Sequence, residues 1–224
     1  PSKSDPVAVI DIGSNSGRVV VYLHEPGGQL RILAGSRAPL RLVRDLDEEG
    51  ALAPDALERA FEALQDFRSV ARGSGVTRFV AAGTSALREA PNGPAFLQRV
   101  RRELGIEIRL LSGFEEARYG FIGAVGGLPV DNGVQFDLGG GSLQIARFHG
   151  RRLLGATSVP LGALRMSDEF LLTDPPSAGE IRRLREHVRE VLAEAGLAPL
   201  AGGESLVGTG GTLRNLARIE QRAC

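Results

Sequence analysis

The sequence predicts an α/β protein built from two similar domains, each a mixed sheet flanked by helices. Three observations carry that expectation. The first is a pattern that occurs twice, 126 positions apart: Val9-Ile10-Asp11-Ile12-Gly13-Ser14-Asn15-Ser16 and Gln135-Phe136-Asp137-Leu138-Gly139-Gly140-Gly141-Ser142. The second is the order of strand and helix signals in the first half, βββαβαβα. The third is that the same order restarts in the second half. The expected division is therefore 1–128 for the first domain and 129–224 for the second, which by analogy lacks at least one strand and one helix.

In the first half, Val7 to Ile12 and Arg18 to Leu23 are β-rich runs, and a third apolar stretch covers Leu30 to Leu42. Short turns between them predict a meander. Pro54 and Asp55 open a helical pattern with Leu57, Phe61, Leu64 and Phe67 on one face, ending near Gly73 and Gly75. Phe79 to Ala82 reads as a strand, and Leu97, Val100 and Leu104 recur at helical spacing. Glu107 to Leu111 is a further strand, followed by a helix through Glu115, Tyr119 and Ile122.

The second half begins with strands at Val134 to Leu138, Leu143 to Phe148 and Leu153 to Val159, then a helix from Ala163 to Leu172. Pro175 and Pro176 break the chain. Ser177 and Glu180 then form a capping box that opens a helix with Ile181, Leu184, Val188 and Val191 on one face. Its arginine- and glutamate-rich opposite face reads as solvated surface. Ser205 to Gly208 is a strand, the next residues a tight loop, and Leu213 to Ile219 a helix.

Composition excludes several classes of partner. The 27 basic and 27 acidic residues give zero formal charge, so no global field draws the chain to nucleic acid or to a membrane surface. Any polyanion must be met locally. The single cysteine, Cys224, leaves no internal disulfide, and no apolar run approaches the ~18 residues of a membrane span. The expectation is a cytoplasmic, reducing compartment. The opening Pro1-Ser2-Lys3-Ser4-Asp5-Pro6 lacks the apolar core of a targeting segment.

The twin pattern suggests chemistry. Gly, Ser and Asn let a backbone turn tightly and aim several N–H donors at one point, as a phosphate requires. A carboxylate just before such a turn repels phosphate unless a cation lies between them, so each copy suggests half of a Mg²⁺-phosphate site. An aspartate in that position also serves simply to cap its own turn. Four further motifs follow in order: Thr84-Ser85-Ala86-Leu87-Arg88-Glu89-Ala90-Pro91-Asn92, Ser112-Gly113-Phe114-Glu115-Glu116-Ala117, Leu161-Gly162-Ala163-Leu164-Arg165 and Gly208-Thr209-Gly210-Gly211-Thr212.

Together with the twin turns these motifs resemble the Ppx/GppA family, the exopolyphosphatases and guanosine pentaphosphate phosphohydrolases, over nearly all of the chain. That family belongs to the superfamily of actin, Hsp70 and sugar kinases. The resemblance implies two actin-like (ribonuclease H-like) domains with the active site in the interdomain cleft. It implies that Asp11 and Asp137 hold Mg²⁺ or another divalent cation. Phosphate would be gripped by Gly13, Ser14, Asn15 and Ser16, by Gly139, Gly140, Gly141 and Ser142, and further along by Gly208, Thr209, Gly210, Gly211 and Thr212. Hydrolysis needs a carboxylate to orient and deprotonate water. The resemblance assigns this to Glu115 or Glu116, with Glu116 the better match. The two point about 100° apart on a helix, so only one can face the site. Arginine binds phosphate oxygens bidentately. Arg88 is the first candidate for stabilising the developing charge, Arg18 the second and Arg165 the third, where a structural salt bridge is an equal reading. The family also implies a homodimer.

One position departs from the family pattern. A glutamate usually follows the second turn where this chain has Gln144, which keeps an acceptor oxygen but loses the charge. The implied activity is Mg²⁺-dependent release of the terminal phosphate of polyphosphate or of guanosine pentaphosphate. One alternative is a family member that binds polyphosphate or an alarmone without useful turnover. A weaker one is an ATP-dependent sugar or acetate kinase of the same superfamily.

Overall fold

The computed structural model describes residues 5–44, 46 and 49–223. Cys224 and the first four residues of the opening segment lie outside this set. The chain divides into two compact units between Leu111 and Ser112.

The first unit contains β1 (Val7–Ile12), β2 (Ser16–His24), β3 (Leu30–Pro39), α1 (Pro54–Gly73), β4 (Arg78–Gly83), α2 (Ser85–Glu89), α3 (Gly93–Leu104) and β5 (Ile108–Leu110). Its sheet runs β3-β2-β1-β4-β5, antiparallel across the β1, β2 and β3 meander and parallel from β1 to β4 and β5. Alternation along the strands decides what is buried. Ala8, Ile10 and Ile12 of β1 and Val19 and Val21 of β2 are at most 1 % exposed, in one core with Phe61, Leu64 and Phe67 of α1. A Cβ at Gly17 would stand 3.0 Å from Leu40 and 3.1 Å from Phe67, so β2 meets α1 closely there. Pro54 and Asp55 start α1, where a missing N–H and a carboxylate both suit the first turn.

The second unit contains α4 (Gly113–Val125), β6 (Gly133–Leu138), β7 (Leu143–His149), β8 (Arg152–Val159), α5 (Ala163–Phe170), α6 (Ala178–Glu194), β9 (Ser205–Thr209) and α7 (Gly211–Ala223). The sheet order is β8-β7-β6-β9, with β6 and β9 parallel and the other pairs antiparallel. This repeats β3-β2-β1-β4 strand for strand. Phe121 and Val125 of α4 pack with Ala146, Phe148 and Val207 on one face. On the other face Ile145, Val159 and Met166 pack with Leu184, Val188 and Val191 of α6. The expected capping box of α6 forms, with the Ser177 hydroxyl accepting from the Glu180 N–H and Glu180 accepting from the Ser177 N–H.

Two features differ from the sequence reading. Helix α4 falls with the second unit, because its apolar face is buried on the β6–β8 sheet, whereas the reading gave it to a first domain ending at 128. Helix α2 was not foreseen, since five residues give too short a window for helical periodicity to show. Among the described residues no helix is long and apolar enough to cross a membrane.

Candidate functional site

Both twin turns are built alike. Asp11 is the fifth residue of β1 and Asp137 the fifth of β6, each near the carboxyl end of a central strand flanked by one antiparallel and one parallel neighbour. The carboxyl ends of parallel strands are where open α/β sheets take ligands. The turn then closes with the same bond in each copy: Gly13 N–H donates to Ser16 O at 3.1 Å, and Gly139 N–H to Ser142 O at 3.0 Å. A Cβ on either glycine would lie 3.2 Å from that same carbonyl oxygen, so the tight closure favours glycine at both.

Neighbouring segments fix each turn from outside. In the first unit, Leu40 and Arg41 N–H groups donate to Asn15 O and Leu42 N–H to Ser14 O. The Ser14 hydroxyl, 5 % exposed, meets the Ser85 hydroxyl at 3.2 Å, and Thr84 N–H donates to Ile12 O. The segment carrying Arg88 is thereby tied to the turn, and Arg88 Nη1 donates to Leu111 O at 2.5 Å. In the second unit, Ala163 N–H donates to Gly139 O, while Leu164 and Arg165 N–H groups donate to Gly140 O. Gly162 makes this approach possible. A Cβ there would fall 2.2 Å from the carbonyl carbon of Gly141 and 2.3 Å from Gly140 O.

Around Asp137 the second unit gathers several of the expected residues. The carboxylate is pushed to a raised pKa by burial, partly offset by a hydrogen bond from Thr209 and by the charge of Arg214. Gly210, at φ +94°, lies so close that a Cβ would stand 2.6 Å from Asp137 Oδ1. Helix α4 crosses the same face of the sheet. A Cβ at Gly113 would be 2.6 Å from Ser158 Cβ, and one at Gly120 would be 3.9 Å from Asp137 Oδ2. Glu116 precedes Gly120 by one helical turn and so shares its face. Glu115 does not, and its carboxylate accepts from the Ser112 N–H at 2.9 Å and the Ser112 hydroxyl at 3.1 Å. Ser112 and Glu115 are thus a second capping box, legible as Ser-x-x-Glu but overlooked beside the catalytic reading.

The remaining expected residues take hydrogen-bonding and packing positions. Gln144 is 7 % exposed, and its Nε2 donates to the Ser142 hydroxyl at 2.7 Å and the Ser158 hydroxyl at 3.2 Å. Gly208 sits against Phe136 and Leu213, a packing position, whereas Gly211 and Thr212 open α7. Sequence reasoning missed Ser158, Ser85 and Gln135. Gln135 is fully buried between Ala146 and Val207 in the sheet register, and its Nε2 donates to the Thr209 hydroxyl at 2.9 Å. Its Oε1 is buried with no hydrogen-bond partner among the described residues. A polar side chain inside an apolar strand run was the signal.

Asp137 supplies one carboxylate that could hold a divalent cation of the Mg²⁺ kind. Mg²⁺ is held by one or two carboxylates, with water and substrate phosphate completing its shell. Among the described residues no three His, Cys, Asp or Glu side chains form a closed metal cage. A half-buried carboxylate beside a backbone turn matches the open kind of site.

The sequence profile of the Ppx/GppA phosphatase family matches residues 20–223. The chain is 32 % identical over 217 residues to exopolyphosphatase 1 of Mycobacterium leprae, covering 95 % of this chain and 64 % of that protein. It is 31 % identical over 226 residues to exopolyphosphatase 2 of Mycobacterium tuberculosis, covering 96 % of this chain and 70 % of the relative. Among solved structures, the Aquifex aeolicus Ppx/GppA family member superposes with a TM-score of 0.77 at 30 % identity, over 96 % of this chain and 69 % of that one. The chain therefore spans about two thirds of the length of these relatives.

Proposed function

Because this chain belongs to the Ppx/GppA phosphatase family, we propose that it serves a Mg²⁺-dependent phosphohydrolase that removes the terminal phosphate of a phosphoanhydride chain. Inorganic polyphosphate is the substrate that the exopolyphosphatase relatives support. The 5′ γ-phosphate of guanosine pentaphosphate presents the same anhydride and is the second substrate of the reading.

The observation that carries the reading is the placement of α4 over Asp137. Gly120 approaches the carboxylate, and Glu116 lies one turn earlier on the same face, beside the end of the sheet where the Gly139 to Ser142 turn is built. In this reading the backbone N–H groups of the Gly139 to Ser142 turn bind the terminal phosphoryl group, and those of the Gly13 to Ser16 turn are the equivalent donors of the first unit. Glu116 accepts a proton from the attacking water, and in the first unit Arg88 and Arg18 are the groups suited to stabilise charge on phosphoryl oxygens. Asp137 would hold a divalent cation that neutralises phosphate charge, and Asp11 is its counterpart in the first unit. The Thr209 side chain, which accepts from Gln135 Nε2, partly offsets the effect of burial on Asp137.

The test compares phosphate release from long-chain polyphosphate and from guanosine pentaphosphate, with Mg²⁺ and with chelator. Glu116→Gln lowers release about 10²- to 10⁴-fold, the usual scale of a general base, without changing the melting temperature. Glu115→Gln keeps an acceptor for the Ser112 N–H, so it leaves the cap in place and keeps activity within a few-fold. An undiminished rate in Glu116→Gln would overturn the assignment.

A second reading is favoured by Gln144 alone. Its amide is buried and bonded to two hydroxyls, a neutral arrangement that suits binding without turnover. Tight polyphosphate binding by calorimetry, with no phosphate released over hours, supports this reading over the first.

A further inference from the structure

Successive residues of a strand point to opposite faces, so Ser16 and Arg18 of β2 stand on the face away from Gly17 and Val19, which meet α1. Register partners share a face. Arg18 is directly opposite Asp11 on one side and directly opposite Arg37 of β3 on the other. Two guanidinium groups are thus juxtaposed across neighbouring strands, an arrangement that is destabilising when nothing anionic lies between them. Neither arginine is in an ion pair among the described residues, and both are exposed.

Arg37 is nonetheless aimed. Its Nε and Nη2 donate to the Ser16 hydroxyl at 3.3 and 3.1 Å. Ser16 ends the first phosphate turn, where its carbonyl accepts from Gly13 N–H. A hydroxyl that accepts two N–H donors has its own hydrogen left to give. The guanidinium of Arg18, the Nη1 of Arg37 and the Ser16 hydroxyl therefore present donors at one edge of the turn with no acceptor among the described residues.

We infer that Arg37, with Arg18, binds a second phosphoryl group of a condensed phosphate, next to the one the turn takes. This rests on the phosphohydrolase reading above and assigns Arg37 a part in selecting chains of two or more phosphoryl units over orthophosphate. The shared chemistry is a phosphoanhydride-linked pair of phosphoryl groups, whether from inorganic polyphosphate or from a nucleoside 5′-triphosphate.

The test is calorimetric binding of orthophosphate, tripolyphosphate, long-chain polyphosphate and guanosine 5′-triphosphate to the full chain and to its Arg37→Gln and Arg37→Lys variants. Arg37→Gln weakens the condensed phosphates about tenfold while orthophosphate affinity stays within twofold, on the scale of a lost charged hydrogen bond. Arg37→Lys restores part of the loss, which keeps charge but not the fork that holds Ser16. Loss confined to tripolyphosphate and polyphosphate assigns the pair to the inorganic chain; equal loss with the nucleotide assigns it to the triphosphate group itself. Wild-type binding that is unchanged in Arg37→Gln overturns this inference alone, as does an equal loss toward orthophosphate. Absence of any phosphate binding by the wild type overturns the phosphohydrolase reading with it.

Discussion

Gln144 stands directly across the strand pair from Asp137, as Arg18 stands directly across from Asp11. Each sheet thus carries one row of side chains beginning with the aspartate. In the first unit the row continues Asp11, Arg18, Arg37; in the second it continues Asp137, Gln144, Ser158. Gln144→Glu would place a second carboxylate opposite Asp137 in a position only 7 % exposed. Like charges directly opposite cost up to about 1 kcal/mol, and burial adds to it. The variant should melt lower than wild type in chelator and recover in millimolar Mg²⁺, which scanning calorimetry in the two buffers measures. A variant that is equally stable in both would show that position 144 does not sense the cation.

Gly162→Ala should be severe. Its Cβ would overlap the backbone of Gly140 and Gly141, which no rotamer change can relieve. The expected loss is about 1–3 kcal/mol or more in denaturant unfolding, with phosphate binding weakened because the turn is displaced. Gly155→Ala in β8 is the control, since nothing stands within 4 Å of its Cβ position, and it should be stable.

Asp137→Asn should separate stability from function. Burial raises the pKa of Asp137 in the folded chain, so the folded state binds a proton more readily than the unfolded one. Its ionised form is therefore a cost that is present above the folded pKa and fades as pH falls through it. The asparagine variant should melt higher than wild type at neutral pH, with the difference shrinking in acid, while Mg²⁺-dependent phosphate release is lost. A lower melting temperature at neutral pH would contradict the burial account.

Glu180 behaves in the opposite sense. Hydrogen bonds from the Thr173 hydroxyl and from the Ser177 backbone and hydroxyl hold its pKa at about 2. Leu172 N–H and Thr173 N–H also donate to it. A depressed carboxylate pKa gives stability that is fully present above the unfolded value near 4.5 and is lost as pH falls toward about 2. Glu180→Gln should remove that acid-dependent part, flattening melting temperature against pH between 5 and 2, the range that a pH series of thermal melts covers.

The sequence disclosed the duplicated hairpins because their chemistry is local. An aspartate at a strand end followed by Gly, Ser and Asn announces both the turn and its donors, and the strand registers of β1/β2 and β6/β7 repeat with the same offset. The order of strands and helices along the chain and the α6 capping box were legible for the same reason. What escaped depended on distant partners. The side to which α4 belongs is settled by Phe121 and Val125 meeting Ala146 and Phe148, residues more than twenty positions away. Gln135, Ser158 and Arg37 acquire meaning only from strand register, which brings Arg37 beside Arg18 and Ser158 beside Gln144. The preference for Glu116 over Glu115 came from the family resemblance, and the Ser112 cap, three residues away and legible in the sequence, engages the Glu115 carboxylate.

The two rows also separate geometry from charge. Backbone closure of the turns is the same in both units, while the side chains following each aspartate are two cations in one row and two neutral groups in the other. The electrostatic character of each row is therefore set by two cross-strand positions beside its aspartate, 18 and 37 in the first unit and 144 and 158 in the second, on a turn closed by the same backbone bond. One backbone closure thus serves two rows of unlike character, so the turn's geometry and the charge beside it are set by different residues.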